Sequence, residues 1–155
     1  MEIELSVLIQ DNRQISIQLE QLASRIVAQK GLTAIQAQLL LYILDHSAQG
    51  TSLTDIHRAF GYSMAAMSGL VKRLREKGYV RVEPCARDDR KKILFGTDKG
   101  EEVREFLHQS ICSAQDQLYS GFSQEELAPL DRLHKKMLRN ISALTQNHSK
   151  EDSKT

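Results

Sequence analysis

Apolar side chains recur three and four residues apart at both ends of the chain, which is the spacing of helices that pack side by side. The first repeat consists of Leu5, Leu8, Ile15, Leu19, Leu22 and Ile26, with Asn12 as a polar member. A middle repeat consists of Val103, Leu107, Ile111, Ala114 and Leu118, and a last one of Leu127, Leu130, Leu133, Met137, Ile141 and Leu144. The pattern predicts long helices over about 4–29 and 98–145.

Two shorter helical patterns lie between these ends. Ser52 can cap the first, and Asp55, three residues on, completes a capping box. Gly61 ends that helix, because glycine tolerates a left-handed backbone. The second short helix has an apolar face made by Met67, Leu70, Val71 and Leu74. Neither helix is long enough to be stable alone, so we expect the two to pack together.

The opposite face of the second short helix is small in its first half and basic further along. At 100° per residue it presents Ala65, Ala66, Ser68, Gly69, Lys72 and Arg73. A slim leading end can enter a DNA major groove, and the long cations can reach the phosphates. An ordinary amphipathic helix whose polar face happens to have small side chains would give the same pattern.

A charged hairpin is predicted after Gly78. Tyr79, Val80 and Val82 alternate with Arg81 and Glu83 as in a strand, and Pro84 interrupts the ladder. The tip would contain Arg87, Asp88, Asp89, Arg90, Lys91 and Lys92, with residues 93–95 as the return strand. From Lys72 to Lys92 there are nine Lys and Arg against four Asp and Glu, in a chain whose net charge is +1. This concentration of positive charge is typical of an electrostatic docking surface.

The order of elements predicts a mainly α fold with a small β-hairpin wing, that is, a winged helix-turn-helix with long terminal helices. We expect a single domain over 1–145, with the winged helix at about 32–97 and a disordered tail at 146–155. The length of 155 residues and a hydrophobic fraction of 41% agree with one small domain.

Several motifs resemble those of the MarR (multiple antibiotic resistance regulator) transcription factors. They are Leu-Thr-x-x-Gln at 32–36, Lys-Gly-Tyr-Val at 77–80, Asp-x-Arg at 88–90, Thr-x-x-Gly at 97–100 and Ser-x-x-Glu-Leu at 123–127. The resemblance implies a homodimer paired through its terminal helices, in which Arg90 meets the minor groove and Asp88 helps to hold it. It also implies an effector pocket between the dimerisation helices and the DNA module. The chain departs from the family pattern at Ala66, Gly69 and Val82.

The predicted function is a sequence-specific regulator that binds double-stranded DNA, an effector-responsive repressor acting as a homodimer on a pseudo-palindromic operator. The predicted DNA-binding residues are Ser52, Ser63, Ala65, Ala66, Ser68, Gly69, Lys72, Arg73, Arg87, Asp88, Arg90, Lys91 and Lys92. Effector residues stay unassigned, although Arg13, Gln36, Tyr42 and His46 are polar groups that could point inward.

Two alternatives remain open at this point. A winged helix also serves as a protein-binding module, since fold does not imply function. A metal-responsive regulator would use His108 and Cys112, one helical turn apart, with His46 or Asp45 as further ligands. Two such ligands often arise by chance, so no metal site is assigned.

Catalysis is not expected, because no phosphate-binding glycine loop, activated nucleophile or carboxylate pair with suitable spacing is recognisable. No cofactor is expected either. Cys85 and Cys112 lie in different elements, which argues against a disulfide framework or a zinc ribbon. No signal peptide or membrane-spanning stretch is recognisable, so we predict a cytoplasmic protein without a membrane partner.

Overall fold

The computed structural model describes residues 2–151, and the side chains of all of these except Asp89 and residues 145–151. These residues form two compact units, one ending at Leu118 and the other beginning at Tyr119. The first unit contains the predicted helix-turn-helix and hairpin, and the second contains the last helix. The prediction of a single domain over 1–145 stays a prediction.

The described residues are mainly helical, with one small antiparallel sheet, as predicted. The helices are α1 Leu5–Val27, α2 Ala34–Asp45, α3 Leu53–Phe60, α4 Met64–Glu76, α5 Asp98–Leu118 and α6 Gln124–Glu151. A 3₁₀ turn, Ala28–Lys30, follows α1. The strands are β1 Thr51–Ser52, β2 Val80–Cys85 and β3 Asp88–Gly96, in the spatial order β1-β3-β2.

Helix α2 forms the centre of the first unit. It starts at a capping box in which the backbone N–H of Gln36 donates to the Thr33 hydroxyl and the Gln36 side chain accepts from Thr33 N–H. Leu39, Leu40 and Ile43 are fully buried. Neighbouring elements α1, α4, α5 and β3 all pack against α2. A helix this apolar on most of its surface is stable only when other elements surround it.

Helix α5 closely approaches Tyr79, the residue directly before β2, because its first turn contains Gly100. A Cβ atom at that position would lie 2.6 Å from the backbone oxygen of Tyr79. Thr97 supports the same junction, since its hydroxyl donates to the carbonyl of Gly78 and accepts from the Gly100 N–H. The Thr-x-x-Gly motif therefore fixes where α5 begins relative to the strand at Val80.

The hairpin differs from the prediction in two respects. The turn consists only of residues 86–87, and Asp88 to Lys92, predicted as part of the tip, belong to β3. Pro84 does not end the ladder but stays in β2 opposite Lys92, and the register shifts between Pro84 and Cys85. A proline is tolerated there because β2 is an edge strand, whose outward side needs no N–H donor.

The last helix extends beyond the predicted boundary. Helix α6 continues to Glu151 and so includes residues 146–151 of the segment that we expected to be disordered. The rest of that segment, 152–155, lies outside the described residues. Phe122 packs edge-on against Tyr119 at a centroid distance of 6.0 Å just before the helix. The Ser123 hydroxyl then accepts from the N–H of Glu126, and Glu126 accepts from Ser123 N–H.

The close approach at Gly100 gives a test of the fold. Gly100→Ala should lower the free energy of unfolding by about 1–3 kcal/mol, because the new methyl group must displace backbone. Gly69→Ala is the matched control, since no atom other than its chain neighbours and the backbone of its own helix lies within 4 Å of its Cβ position. The control should gain about 0.5–1 kcal/mol from helix propensity. Urea unfolding of both variants checks this, and a Gly100→Ala variant as stable as Gly69→Ala would contradict the junction.

Candidate nucleic-acid interface

Helix α4 has one buried face and one exposed face. Met67, Val71 and Leu74 are buried against the rest of the first unit, as predicted. The Ser63 hydroxyl caps the helix and accepts from the N–H of Ala66 at 3.1 Å. All the predicted contact residues of this helix are exposed, namely Ala65, Ala66, Ser68, Gly69, Lys72 and Arg73. The face turned to solvent is therefore narrow in its first half and basic in its second.

Helix α3 is held at its start by the predicted capping box. The Ser52 hydroxyl accepts from Asp55 N–H at 3.1 Å, and the Asp55 carboxylate accepts from Ser52 N–H at 3.0 Å. Ser52 is only 3% exposed, and it also belongs to β1, where it pairs with Ile93. A buried hydroxyl that already caps a helix cannot reach a phosphate, so the prediction of Ser52 as a DNA contact is corrected.

Strand β1 is a connection that the sequence pattern did not reveal. Thr51 and Ser52 pair with Leu94 and Ile93 of β3, directly before α3 begins. The hairpin is thereby hydrogen-bonded to the start of the helix pair. Two residues are too few to produce an alternating pattern, so only the pairing in three dimensions identifies this strand.

The hairpin presents its cations to solvent. Arg87, Arg90, Lys91 and Lys92 are all exposed. Asp88 accepts a hydrogen bond from the backbone N–H of Arg90 at 3.0 Å. The acid therefore fixes the backbone at Arg90, whose side chain is exposed.

The base of the hairpin is held by Arg81. Its guanidinium pairs with Glu83 and lies over the ring of Phe95, 4.5 Å from the centroid. Both side chains of the ion pair are about half exposed. Arg81 is therefore engaged within the sheet.

A basic cavity lies between α4 and the sheet, with a volume of about 270 Å³. Its floor consists of Leu53, Val71, Val82 and Leu94, and its rim of Ser68, Lys72, Arg75 and Lys92. No Asp or Glu is among the described residues that line it. We did not predict Arg75, although it follows Lys72 by three residues and so belongs to the same face of the helix.

The pKa of Asp55 is lowered from its usual value, first by the hydrogen bond from the Ser52 backbone and then by the Ser52 side chain. The positive charges of Lys91 and Arg58 act in the same direction, and desolvation opposes them. Lys91 belongs to β3, so the capping carboxylate also interacts electrostatically with the hairpin. The charged form of Asp55 is the one that the folded state stabilises.

The candidate metal ligands do not come together. His108 Nε2 lies 4.0 Å from Asp45 Oδ1, but that carboxylate pairs with Arg104, which also donates to Glu101. This hydrogen bond from Arg104 lowers the pKa of Glu101, and the pKa of Arg104 is raised mainly by Glu101. Among the residues that the structure describes, no three His, Cys, Asp or Glu side chains form a group that could hold a metal ion. Cys85 and Cys112 are both free thiols.

Three of the four polar groups considered for an effector pocket have other partners. Gln36 is 5% exposed and completes the cap of α2, and Tyr42 stacks on His46 at a centroid distance of 4.2 Å. The His46 Nδ1 atom lies 2.7 Å from the carbonyl of Tyr42. Arg13 is exposed on α1.

Within residues 2–151, no helix is long and apolar enough to cross a membrane.

Comparison with known proteins places this geometry among transcription regulators. The model of the MarR family matches residues 30–91. The crystal structure of the MepR–DNA complex from S. aureus is 27% identical, with a TM-score of 0.81 over 90% of this chain and 99% of that one.

Two further structures share the fold. That of the transcriptional regulator SlyA is 19% identical, with a TM-score of 0.81 over 88% of this chain and 94% of that one. A mutant MarR from E. coli complexed with operator DNA is 23% identical, with a TM-score of 0.76 over 84% of this chain and 93% of that one.

Asp55→Asn tests the capping box through pH. Since the folded-state pKa of Asp55 is lowered, its contribution to stability is complete above the unfolded-state value near 3.8 and is lost as pH falls through the folded-state value. At pH 7 the variant should lose about 0.5–2 kcal/mol, the usual cost of a weakened helix N-terminus. Its stability should also fall less steeply than that of the parent between pH 5 and pH 2. If urea titrations showed that the stability of the two proteins falls equally steeply between pH 5 and pH 2, the capping role would be ruled out.

Proposed function

We propose that this chain is a member of the MarR family of winged helix-turn-helix regulators, whose model matches residues 30–91, and that it binds double-stranded DNA with sequence specificity and thereby regulates transcription. The observation that carries the proposal is the exposed face of α4, where Ala65, Ala66, Ser68 and Gly69 precede Lys72. Such a face can enter a major groove, while Lys72, Arg73 and Arg75 meet phosphates.

The hairpin supplies the second contact of the proposed interface. Arg90 extends from a strand whose backbone is fixed by Asp88, and Arg87, Lys91 and Lys92 are further exposed cations of the same hairpin. We propose that Arg90 reaches the minor groove and that the other three bind phosphates. With Ser63 at the start of α4, the proposed interface contains the predicted contact residues other than Ser52.

Sequence reading on this surface should depend little on direct hydrogen bonds to bases. In the leading half of α4, Ser68 is the one described groove-facing side chain with a hydrogen-bonding group, and a serine hydroxyl discriminates poorly between bases. Thymine methyl contacts from Ala65 and Ala66, Arg90 in the minor groove and the deformability of the DNA would then carry most of the preference.

We also propose that the protein acts as a homodimer and an effector-responsive repressor on a pseudo-palindromic operator. Apolar residues left exposed on α1 and α6 support the dimer. They include Leu5, Leu8 and Ile15 on α1 and Leu133, Met137, Ile141 and Leu144 on α6. A two-fold axis would place the half-sites about one helical turn of DNA apart, roughly 10 base pairs.

Arg90→Ala and Lys72→Ala distinguish sequence reading from general attraction to DNA. Selection of genomic fragments first supplies the operator. Arg90→Ala should cost about 1–3 kcal/mol per half-site and relax the preference for a narrow A·T-rich flank. Lys72→Ala should weaken all duplexes alike and reduce the slope of log K against log salt by about one unit for each phosphate that is no longer neutralised. Lys136→Ala, an exposed lysine of α6, is the matched control.

Binding to operator variants at several salt concentrations separates these effects. If Arg90→Ala kept its flank preference while Ser68→Ala lost discrimination, the proposed reading through the hairpin would be wrong. If the parent protein passed through a heparin column without being retained, a protein-binding role would instead be favoured.

Two substitutions to aspartate at different positions of α6 test the dimer. Leu133 is 51% exposed within the apolar stripe, whereas Lys136 lies on the same helix outside it. Leu133→Asp should weaken dimerisation at least about tenfold by burying a charge at the interface, and Lys136→Asp should leave it nearly unchanged. Sedimentation equilibrium measures both constants, and an unchanged dimer in Leu133→Asp would remove this stripe from the interface.

A further inference from the structure

Two side chains join the end of α4 to the end of α1. Lys77, the C-cap of α4, donates from its ammonium group to the backbone carbonyl of Gly31, 46 positions earlier in the chain. Gly31 is the residue that ends the 3₁₀ turn after α1. The hydroxyl of Tyr79 donates to the carbonyl of Lys30 in the same turn, at 3.3 Å. These two hydrogen bonds form what we call the α1–α4 tie.

Lys99 adds a third helix to this junction. Its ammonium group donates to the carbonyl of Lys77 at 2.7 Å and lies 4.9 Å from the centre of the Tyr79 ring. Lys99 belongs to the first turn of α5, where the helix dipole disfavours a cation. A residue that opposes its local preference is expected where a contact elsewhere compensates. That contact is with the C-terminal end of α4, where the dipole favours a cation.

Both lysines bind carbonyl groups rather than carboxylates. Among the residues whose side chains the structure describes, no Asp or Glu forms an ion pair with Lys77 or Lys99. The carbonyls that they bind lie at the C-terminal ends of two helical segments, which carry partial negative charge. Hydrogen bonds from a charged donor are stronger than those between neutral groups. The ends of α1, α4 and α5 are therefore held together in series.

Helix α4 needs such a restraint because one of its sides is incompletely packed. The cavity beside α4 leaves about 270 Å³ between the helix and the sheet. Apolar packing resists motion only where atoms are in contact, so packing on this side restrains the tilt of α4 weakly. The start of the helix is held by the Ser63 cap and by the bond between His57 Nδ1 and the carbonyl of Tyr62. Lys77 holds the other end.

We propose that Lys77 is a positioning residue which, with Tyr79 and Lys99, fixes the direction of α4 relative to α1 and thereby sets the half-site spacing that the protein accepts. The inference rests on the proposed function, since α1 takes part in the proposed dimer and α4 in the proposed groove contact. In a two-fold dimer, the separation of the two α4 helices depends on how each one is oriented on its own α1. A stiff tie makes the protein reject operators with wrongly spaced half-sites.

A role of Lys77 in binding phosphate is the competing explanation. Lys77 is half-buried and its ammonium group already has a partner, whereas Lys72 is exposed at the rim of the cavity beside α4. A lysine that neutralises a phosphate contributes about one unit to the slope of log K against log salt. A lysine that acts within the protein contributes nothing to that slope. Salt dependence therefore distinguishes the two roles.

Operators with one base pair added or removed between the half-sites test the inference. One base pair changes the half-site separation by roughly 3.4 Å and the direction that a half-site faces by roughly one tenth of a turn. The parent should prefer the natural spacing by at least about tenfold. Lys77→Met keeps the apolar stem and removes the donor, so it should reduce this preference by about threefold to tenfold, as expected for one lost hydrogen bond. Its salt slope should equal that of the parent.

Three further variants complete the design. Lys72→Met should behave in the opposite way, with a salt slope reduced by about one unit and an unchanged spacing preference. Lys77→Arg restores a charged donor and should recover most of the spacing preference. Tyr79→Phe removes the second bond of the tie but keeps the ring, so it should reduce the spacing preference as Lys77→Met does. Circular dichroism verifies the fold of each variant.

The tie can also be measured without DNA. In ¹⁵N NMR of the full-length protein, a hydrogen-bonded Lys77 ammonium group should exchange its protons with water more slowly than that of the exposed Lys72. The amide of Leu32 shares its peptide group with the Gly31 carbonyl and so reports on that acceptor. Lys77→Met should shift the Leu32 amide signal, and Lys72→Met should not.

The outcomes separate this inference from the proposed function. The positioning role is overturned if Lys77→Met keeps the spacing preference of the parent, or if it lowers the salt slope as Lys72→Met does. It is also overturned if the Lys77 ammonium of the parent exchanges as fast as that of Lys72. If Lys77→Met does not fold, an unchanged spacing preference in Tyr79→Phe overturns the role instead. If NMR shows the bond but the parent binds no duplex, the proposed function fails and the α1–α4 tie stands.

Discussion

The fold depends on the burial of α2, a helix that is apolar on most of its surface. Eight of its residues are buried, from Ala34 near its start to Leu44 near its end. Because one partner cannot cover such a helix, α1, α5, α4 and the sheet must each take part of its circumference. The apolar sides of α4 and α5 are buried in this packing against α2. Their polar sides then have to face outward, and the narrow face of α4 is exposed as a consequence.

A second constraint joins the hairpin to the helix pair. Ser52 takes part in both, since its backbone pairs with β3 and its hydroxyl caps α3. Asp55 accepts from the same residue and interacts with the positive charge of Lys91. The hairpin therefore cannot shift along α3 without breaking a cap and a ladder bond together. In the proposed complex this keeps Arg90 and the face of α4 at a fixed separation within one subunit.

Sequence patterns were informative wherever structure follows from local chemistry. The capping boxes at Thr33 and Ser52, the end of α3 at Gly61 and the buried stripe of α4 depend on residues within one or two turns of each other. The errors concern features that depend on distant partners. Ser52 looked accessible because its pairing with Ile93 spans 41 positions of chain, and Pro84 looked like a break because its place on an edge strand was unknown. Arg75 was missed because the cavity it lines exists only once α4 meets the sheet.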